Sequence, residues 1–184
     1  MRIALKNMPQ PSSHDGGTCV GSLDDEPLIY RARVPSAGGR EYEHAEIADA
    51  LRDAVDECAE RLWGSEWSGP LSVATGLNRR SCSKDRVWRY GLPAWVLRFL
   101  GEAAAQAFPR AVGDLMVGMA RVHDDDRNLV GTTMPQRRRL SRDELLDAVQ
   151  GRVLQAADML VAMRYERERA LNRHRNDVRD DTES

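Results

Sequence analysis

The stretch Trp67-Ser68-Gly69-Pro70-Leu71-Ser72-Val73-Ala74-Thr75-Gly76-Leu77-Asn78-Arg79-Arg80-Ser81-Cys82-Ser83-Lys84-Asp85-Arg86-Val87-Trp88-Arg89-Tyr90-Gly91 decides how this chain is read. A short apolar segment comes first, then a Gly-Leu-Asn turn, then a segment carrying Arg and Lys. That order is the pattern of a helix-turn-helix, which offers its second helix to the major groove of DNA. Two helices meeting at a sharp angle need a residue that tolerates positive φ, and Gly76 supplies it without a Cβ penalty. Ser72 lies four residues earlier, where close helix packing favours a small side chain. Leu71 and Leu77 flank the turn as anchors, and Cys82 is the apolar residue expected to seal the second helix inward. Asn78 is suited to cap that helix. Arg79, Arg80, Ser81, Ser83 and Lys84 then face outward.

Moving outward, Glu43 to Trp63 reads as a helix, with Ile47, Ala48, Leu51, Ala54, Val55, Cys58, Ala59 and Leu62 at helical spacing. Gly64 and Ser65 close it. Residues 41–60 carry eight acidic side chains against Arg52 alone, a net of −7, whereas residues 77–98 carry six basic ones against Asp85, a net of +5. Overall charge is only −2, so no global basic field draws in nucleic acid; the positive charge is local. After the basic segment, Pro93 leads a helix through Trp95, Val96, Phe99 and Leu100 to about Phe108, where Pro109 stops or bends the chain.

The same residues carry a resemblance. Leu62-Trp63-Gly64-Ser65-Glu66-Trp67, Gly76-Leu77-Asn78-Arg79-Arg80-Ser81 and Gly91-Leu92-Pro93-Ala94-Trp95-Val96-Leu97 are similar to the helix-turn-helix regulators of phages and other mobile elements in proteobacteria. The similarity covers roughly residues 43–105. It departs at Asp85, where such proteins commonly place a bulky apolar residue; Trp88, one turn later, is the candidate to take over that packing. Thr75 is also less apolar than usual. The resemblance implies double-stranded DNA as partner. Arg79 and Arg80 would reach base edges, because a guanidinium pairs bidentately with guanine O6 and N7. Ser81, Ser83 and Lys84 would touch phosphates or base edges. Arg86, Arg89 and Arg98 would position the duplex through phosphates.

The remaining chain frames this segment. Arg2 to Lys6 and Leu28 to Val34 read as short strands, Ser36 to Gly39 ends the second, and residues 7–27, rich in Pro, Ser, Gly and Asp, read as loop. Ala111 to Val122 is an apolar segment interrupted by Gly113 and Gly118. His123 to Arg139 reads as polar and irregular. Ser141-Arg142-Asp143-Glu144 is a capping-box pattern opening a last helix, along which Leu146, Val149, Val153, Ala156, Leu160 and Met163 step by threes and fours. That stripe suits either a dimer seam or packing on the body. Asn176 to Ser184 should fray. The expected architecture is therefore mainly α: a loop-rich segment at 1–40 with a small β element, a helix-turn-helix domain at 41–108, a connection at 109–140, an amphipathic helix at 141–176 and a tail at 177–184.

Other chemistries find little footing. Cys19, Cys58 and Cys82 form no C-x-x-C pair, so no disulfide framework or zinc site is read. Cys58 and Cys82 read as small buried side chains. No apolar run approaches ~20 residues, and no charged-then-apolar leader opens the chain. A reducing cytoplasm is the expected compartment. No P-loop, nucleophile elbow, dinucleotide fingerprint or H-E-x-x-H occurs, so neither an enzyme nor a cofactor is expected. His123-Asp124-Asp125-Asp126 offers hard-metal donors but stands alone, and no metal is expected there. Arg137-Arg138-Arg139 is either a second phosphate-contacting patch or a solvated loop. Trp63, Trp67, Trp88 and Trp95 sit at element junctions and read as core rather than base-stacking platforms. The expected function is sequence-specific DNA binding by a dimeric bacterial or phage transcriptional regulator. The alternative is a helical protein–protein adaptor or antitoxin-like partner, binding through the acidic 41–60 face or the last helix. Arg79, Arg80 and Lys84 discriminate the two: projecting together favours DNA, pairing with the acidic helix favours the adaptor.

Overall fold

Alternating apolar residues near the N-terminus, punctuated by pairs of turn residues, build a sheet of sequential hairpins. The computed structural model describes residues 1–9, 17–129 and 142–180, and of these the backbone alone at 123–129, 142, 145, 148 and 169–180. Strands β1 (Ile3–Leu5), β2 (Thr18–Leu23), β3 (Glu26–Arg31), β4 (Val34–Ala37) and β5 (Arg40–Glu41) form one antiparallel sheet in the order β1-β2-β3-β4-β5. The last three connections are each two residues long: Leu23 pairs with Glu26, Arg31 with Val34, and Ala37 with Arg40. Such tight turns demand positive φ, and Asp24 (46°), Asp25 (70°) and Ala32 (54°) adopt it although none is glycine. The Arg2 amide donates to the Asp24 carboxylate at 2.7 Å, and the Asp24 amide returns a bond to the Arg2 carbonyl at 2.9 Å.

This corrects three expectations. Residues 18–23 and 26–27, read as loop, are strand; residues 10–16 lie outside the described residues. The strand expected at 28–34 is interrupted at Ala32-Arg33, and residues 36–37 continue β4 rather than ending the sheet. Composition hid these strands because Gly21, Ser22, Pro35 and Ser36 are poor strand formers that are buried here.

The rest of the described chain is mainly helical. Helix α1 (His44–Trp63) starts at a capping box in which the Glu43 side chain accepts from the third-residue backbone and the Glu43 amide donates to Glu46 at 2.8 Å. It ends at Gly64, whose amide bonds the Glu60 carbonyl at 2.8 Å. Helix α2 (Ser68–Thr75), a 3-10 turn (Arg79–Cys82) and helix α3 (Lys84–Tyr90) come next. Helix α4 (Ala94–Ala104) ends earlier than Phe108. Pro109 begins α5 (Pro109–Leu129) instead of stopping the chain, since a first helical residue needs no amide donor. Helix α5 runs on through 123–129, where irregular chain was expected; no Gly or Pro falls between Met119 and Leu129 to break it. Helix α6 (Arg142–Asp180) extends four residues past the expected end. Ser141, Arg137, Arg138 and Arg139 lie outside the described residues.

The chain divides into two units, Met1–Arg121 and Val122–Ser184. In the first, Val20 and Leu28 of the sheet meet Ile47, Leu51, Val55 and Leu62 of α1 and Val96, Leu97 and Leu100 of α4 in one buried cluster. The small β element and the helices thus share a single core. Helix α4 lies hard against β1: a Cβ on Gly101 would fall 2.7 Å from the Lys6 nitrogen and 2.8 Å from the Leu5 carbonyl carbon. In the second unit, Val149 is buried while Leu146, Leu160 and Met163 of the same stripe are exposed. Among the described residues no helix is long and apolar enough to cross a membrane.

Cys58 and Cys82 are buried thiols, as their apolar positions led one to expect, and Cys19 is buried too. Burial pushes the Cys58 thiol up to about 11, with Glu57 adding to the rise and Arg61 opposing it. Burial likewise raises the Cys82 thiol and the Tyr30 phenol.

Two outcomes are expected. First, Gly101→Val should cost about 2–3 kcal/mol in urea unfolding, because the added carbons must displace β1 backbone. Gly118→Ala, where a Cβ meets nothing within 4 Å, should gain about 0.5–1 kcal/mol. Second, a thiol whose folded pKa is raised contributes stability that is complete below the ordinary value of 9.0 and is lost as pH rises toward about 11. Urea midpoints should therefore fall through that window, and fall less steeply in Cys58→Ala, by up to about 2 kcal/mol at its alkaline end.

Candidate nucleic-acid interface

Helix α2 ends on Gly76 at φ 69°, in the left-handed conformation that its sequence position calls for. Three side-chain bonds fix the bend around it. The Ser72 hydroxyl donates to the Leu77 carbonyl at 2.7 Å, the Thr75 hydroxyl to the Leu71 carbonyl at 2.6 Å, and the Leu77 amide to the Thr75 oxygen at 3.3 Å. The polar Thr75 is thus an integral part of the turn. Leu71 is buried, Leu77 half-buried. The Asn78 carboxamide oxygen accepts from the Arg80 amide at 2.9 Å and so caps the 3-10 turn at its start.

The segment from Arg79 to Tyr90 is not one helix. Residues 79–82 make a 3-10 turn, Ser83 is extended (φ −71°, ψ 146°), and α3 begins only at Lys84. The cause is burial. Cys82 and Val87 are both fully enclosed, yet five residues along a continuous α-helix would place them about 140° apart. The break re-aims α3 so that both reach the core. Ser81 and Ser83 suit it, because short hydroxyls compete with helical backbone bonds; the Ser83 hydroxyl takes the Arg80 carbonyl at 3.0 Å. Val87 is the buried residue of α3, while Trp88, expected to pack inward, is exposed. Asp85 itself is exposed and pairs with Arg89 at 3.3 Å.

Helix α3 is moored to the acidic side of α1. The Lys84 ammonium lies 3.5 Å from Asp56 and 3.7 Å from Glu60, and 5.9 Å from the Trp67 ring centre. Asp56 also accepts from the Trp67 indole at 2.9 Å. Asp49 accepts from the Trp88 indole at 3.1 Å, and a His44 ring nitrogen meets the Trp88 carbonyl at 2.8 Å. Much of the acidic run is therefore engaged within the chain.

The predicted site residues divide accordingly. Asn78, Arg79, Arg80 and Ser81 are grouped at the 3-10 turn, all four exposed. Ser83 is half-buried with its hydroxyl turned to backbone, and Lys84 is paired with α1. Arg86 is exposed and stacks on Tyr90, 4.7 Å from the ring centre. Arg89 pairs with Asp85 and Arg98 with Glu102 at 3.6 Å. Arg79, Arg80 and Arg86 are left with no carboxylate in ion-pair range among the described residues. The discriminating trio has split, with two guanidinium groups outward and the ammonium on α1.

The tryptophans split too. Trp63 and Trp67 are core, but Trp88 and Trp95 are 41% and 46% exposed, contrary to expectation. Phe99, one turn beyond Trp95, is also exposed, because Val96, Leu97 and Leu100 take the buried face of α4. The i, i+4 spacing of Trp95 and Phe99 against that stripe was the available signal. Among the described residues no cluster of His, Cys, Asp or Glu side chains is placed to hold a metal ion; the side chains of His123 to Asp126 lie outside the description.

No protein-family model, no curated protein and no solved structure matches this chain.

Asn78→Ala should lower stability by about 1 kcal/mol, with Asn78→Asp retaining most of it, as a capping role requires. Urea denaturation checks this; an unchanged midpoint would assign the carboxamide no structural duty.

Proposed function

We propose that the chain binds double-stranded DNA sequence-specifically, through a helix-turn-helix-like bend centred on Gly76, as a homodimeric transcriptional regulator of bacterial or phage and mobile-element origin. The observation that carries this reading is the pair Arg79 and Arg80, exposed side by side after a rigid turn and lacking an acidic partner among the described residues. Guanidinium groups held this way match guanine O6 and N7, and each good pair discriminates a base by ~1–3 kcal/mol. Ser81 adds a hydroxyl at the same turn. Arg86 and Arg89 supply phosphate contacts, the latter by exchanging its exposed partner Asp85, a pair of little energetic weight. Asn78, Ser83 and Lys84 hold the segment rather than read bases. A cytoplasmic setting fits this role.

The competing reading, a helical protein–protein adaptor, is favoured by two observations. Lys84 faces the acidic helix, and Trp88, Trp95 and Phe99 present exposed rings.

Selection of bound duplexes from a random library at physiological salt separates the two. A recovered motif with regular half-site spacing is the expected result, and an unenriched pool favours the adaptor. On the selected duplex, Arg79→Ala should relax preference at one base pair at a cost of about 1–3 kcal/mol. Arg89→Ala should weaken all duplexes alike and reduce the salt slope by about one. Unchanged binding in both variants would sink these assignments.

A further inference from the structure

We propose that Asp56 is the positioning residue of the arginine pair: one of its carboxylate oxygens fastens both ends of the segment that presents Arg79 and Arg80. This rests on the DNA reading above and deepens it. Asp56 Oδ1 accepts the Trp67 indole N–H at 2.9 Å, and the same oxygen lies 3.5 Å from the Lys84 ammonium. Trp67 stands at the N-cap of α2, and Lys84 opens α3. Everything between them, the Gly76 bend and the 3-10 turn included, forms a loop closed on one atom. Glu60 seconds the Lys84 end at 3.7 Å; Asp56 serves both ends.

The other contacts of the segment do not aim it. Leu71 and Cys82 are buried and set how deep it sits, but apolar contact is non-directional. The bonds of Ser72, Thr75 and Asn78 stay inside the segment and stiffen the turn without tying it to α1. A hydrogen bond to an ionised acceptor is directional and stronger than a neutral one. The Asp56 side chain is 26% exposed, against 80% for Asp49 and 70% for Asp53, so water competes less for its bonds than for theirs. Trp67 is fully enclosed, and loss of the acceptor would strand its N–H. Side chains that read base edges must be held to within about 0.5 Å, and a directional tie at each end of the segment meets that demand.

The test has one arm without DNA and one with it, both on the full chain. Without DNA, hydrogen exchange at the amides of Arg80, Ser81 and Ser83 reads the arginine turn, since all three donate bonds there. Asp56→Ala should speed exchange at these amides about tenfold more than at the amides of α4. Asp56→Asn keeps an oxygen for the indole and should stay within about threefold of the unmodified chain. Gly101→Val, which displaces β1 backbone instead, should give the opposite ranking, α4 loosening more than the turn. With DNA, Asp56→Ala should lose about tenfold in preference for the selected duplex over one changed at the Arg79 base pair, while Asp56→Asn and Gly101→Val retain it. Equal acceleration at the turn and α4 in Asp56→Ala, an Asp56→Asn chain as loosened as Asp56→Ala, or intact preference in Asp56→Ala would overturn the proposal. An unmodified chain that selects no duplex would end the DNA reading, and the exchange arm would still decide whether Asp56 places the turn.

Discussion

Two fully enclosed side chains, Cys82 and Val87, set the shape of the candidate site. Five positions apart, they cannot share one face of an unbroken helix. The backbone therefore straightens at Ser83, and everything on either side takes its place from that kink. Before it, a single tight turn holds Arg79 and Arg80 in solvent. After it, α3 rolls onto α1 and commits Lys84 to two carboxylates. Had the chain kept one helix from residue 79 to 90, one of the two buried residues would have faced water.

Helix α1 works on both sides. Its apolar stripe organises the core shared with the sheet and α4. Its polar side, which in the sequence is a block of like charge, takes hydrogen bonds and ion pairs from within the chain at Glu46, Asp49, Asp53, Asp56 and Glu60. Asp56 is the clearest case, meeting the Trp67 indole and the Lys84 ammonium at once. A run of acidic residues is thus compatible with an internal mooring, and its charge alone does not identify a docking face.

What could be read in advance tracks the strength of the periodic signal. Helix α1 was legible nearly to the residue, because its apolar positions recur for five turns between a capping glutamate and a glycine. Gly76, Asn78 and Cys82 were legible because each has one stereochemical duty. The sheet was not: its turns use Asp24, Asp25 and Ala32 in a conformation that favours glycine, and buried Gly21, Ser22 and Ser36 resemble loop. The break at Ser83 was hidden for a different reason. It depends on which residues are buried together, a tertiary fact that overrides local propensity. Trp88 and Trp95 misled because a large ring at a junction is usually packed, whereas here Val87 and Val96 beside them take the interior.

The strand order β1-β2-β3-β4-β5 has a kinetic meaning. Every strand pairs with its neighbour in sequence, and the last three links close loops of two residues. Little chain entropy is lost in forming each of those ladders, so the sheet can zip from β5 back to β2 before any distant segment arrives. A five-stranded sheet is ordinarily the slow part of a mixed domain. The contact of α4 with β1 is of another kind, gathering residues some ninety positions apart from opposite ends of the first unit.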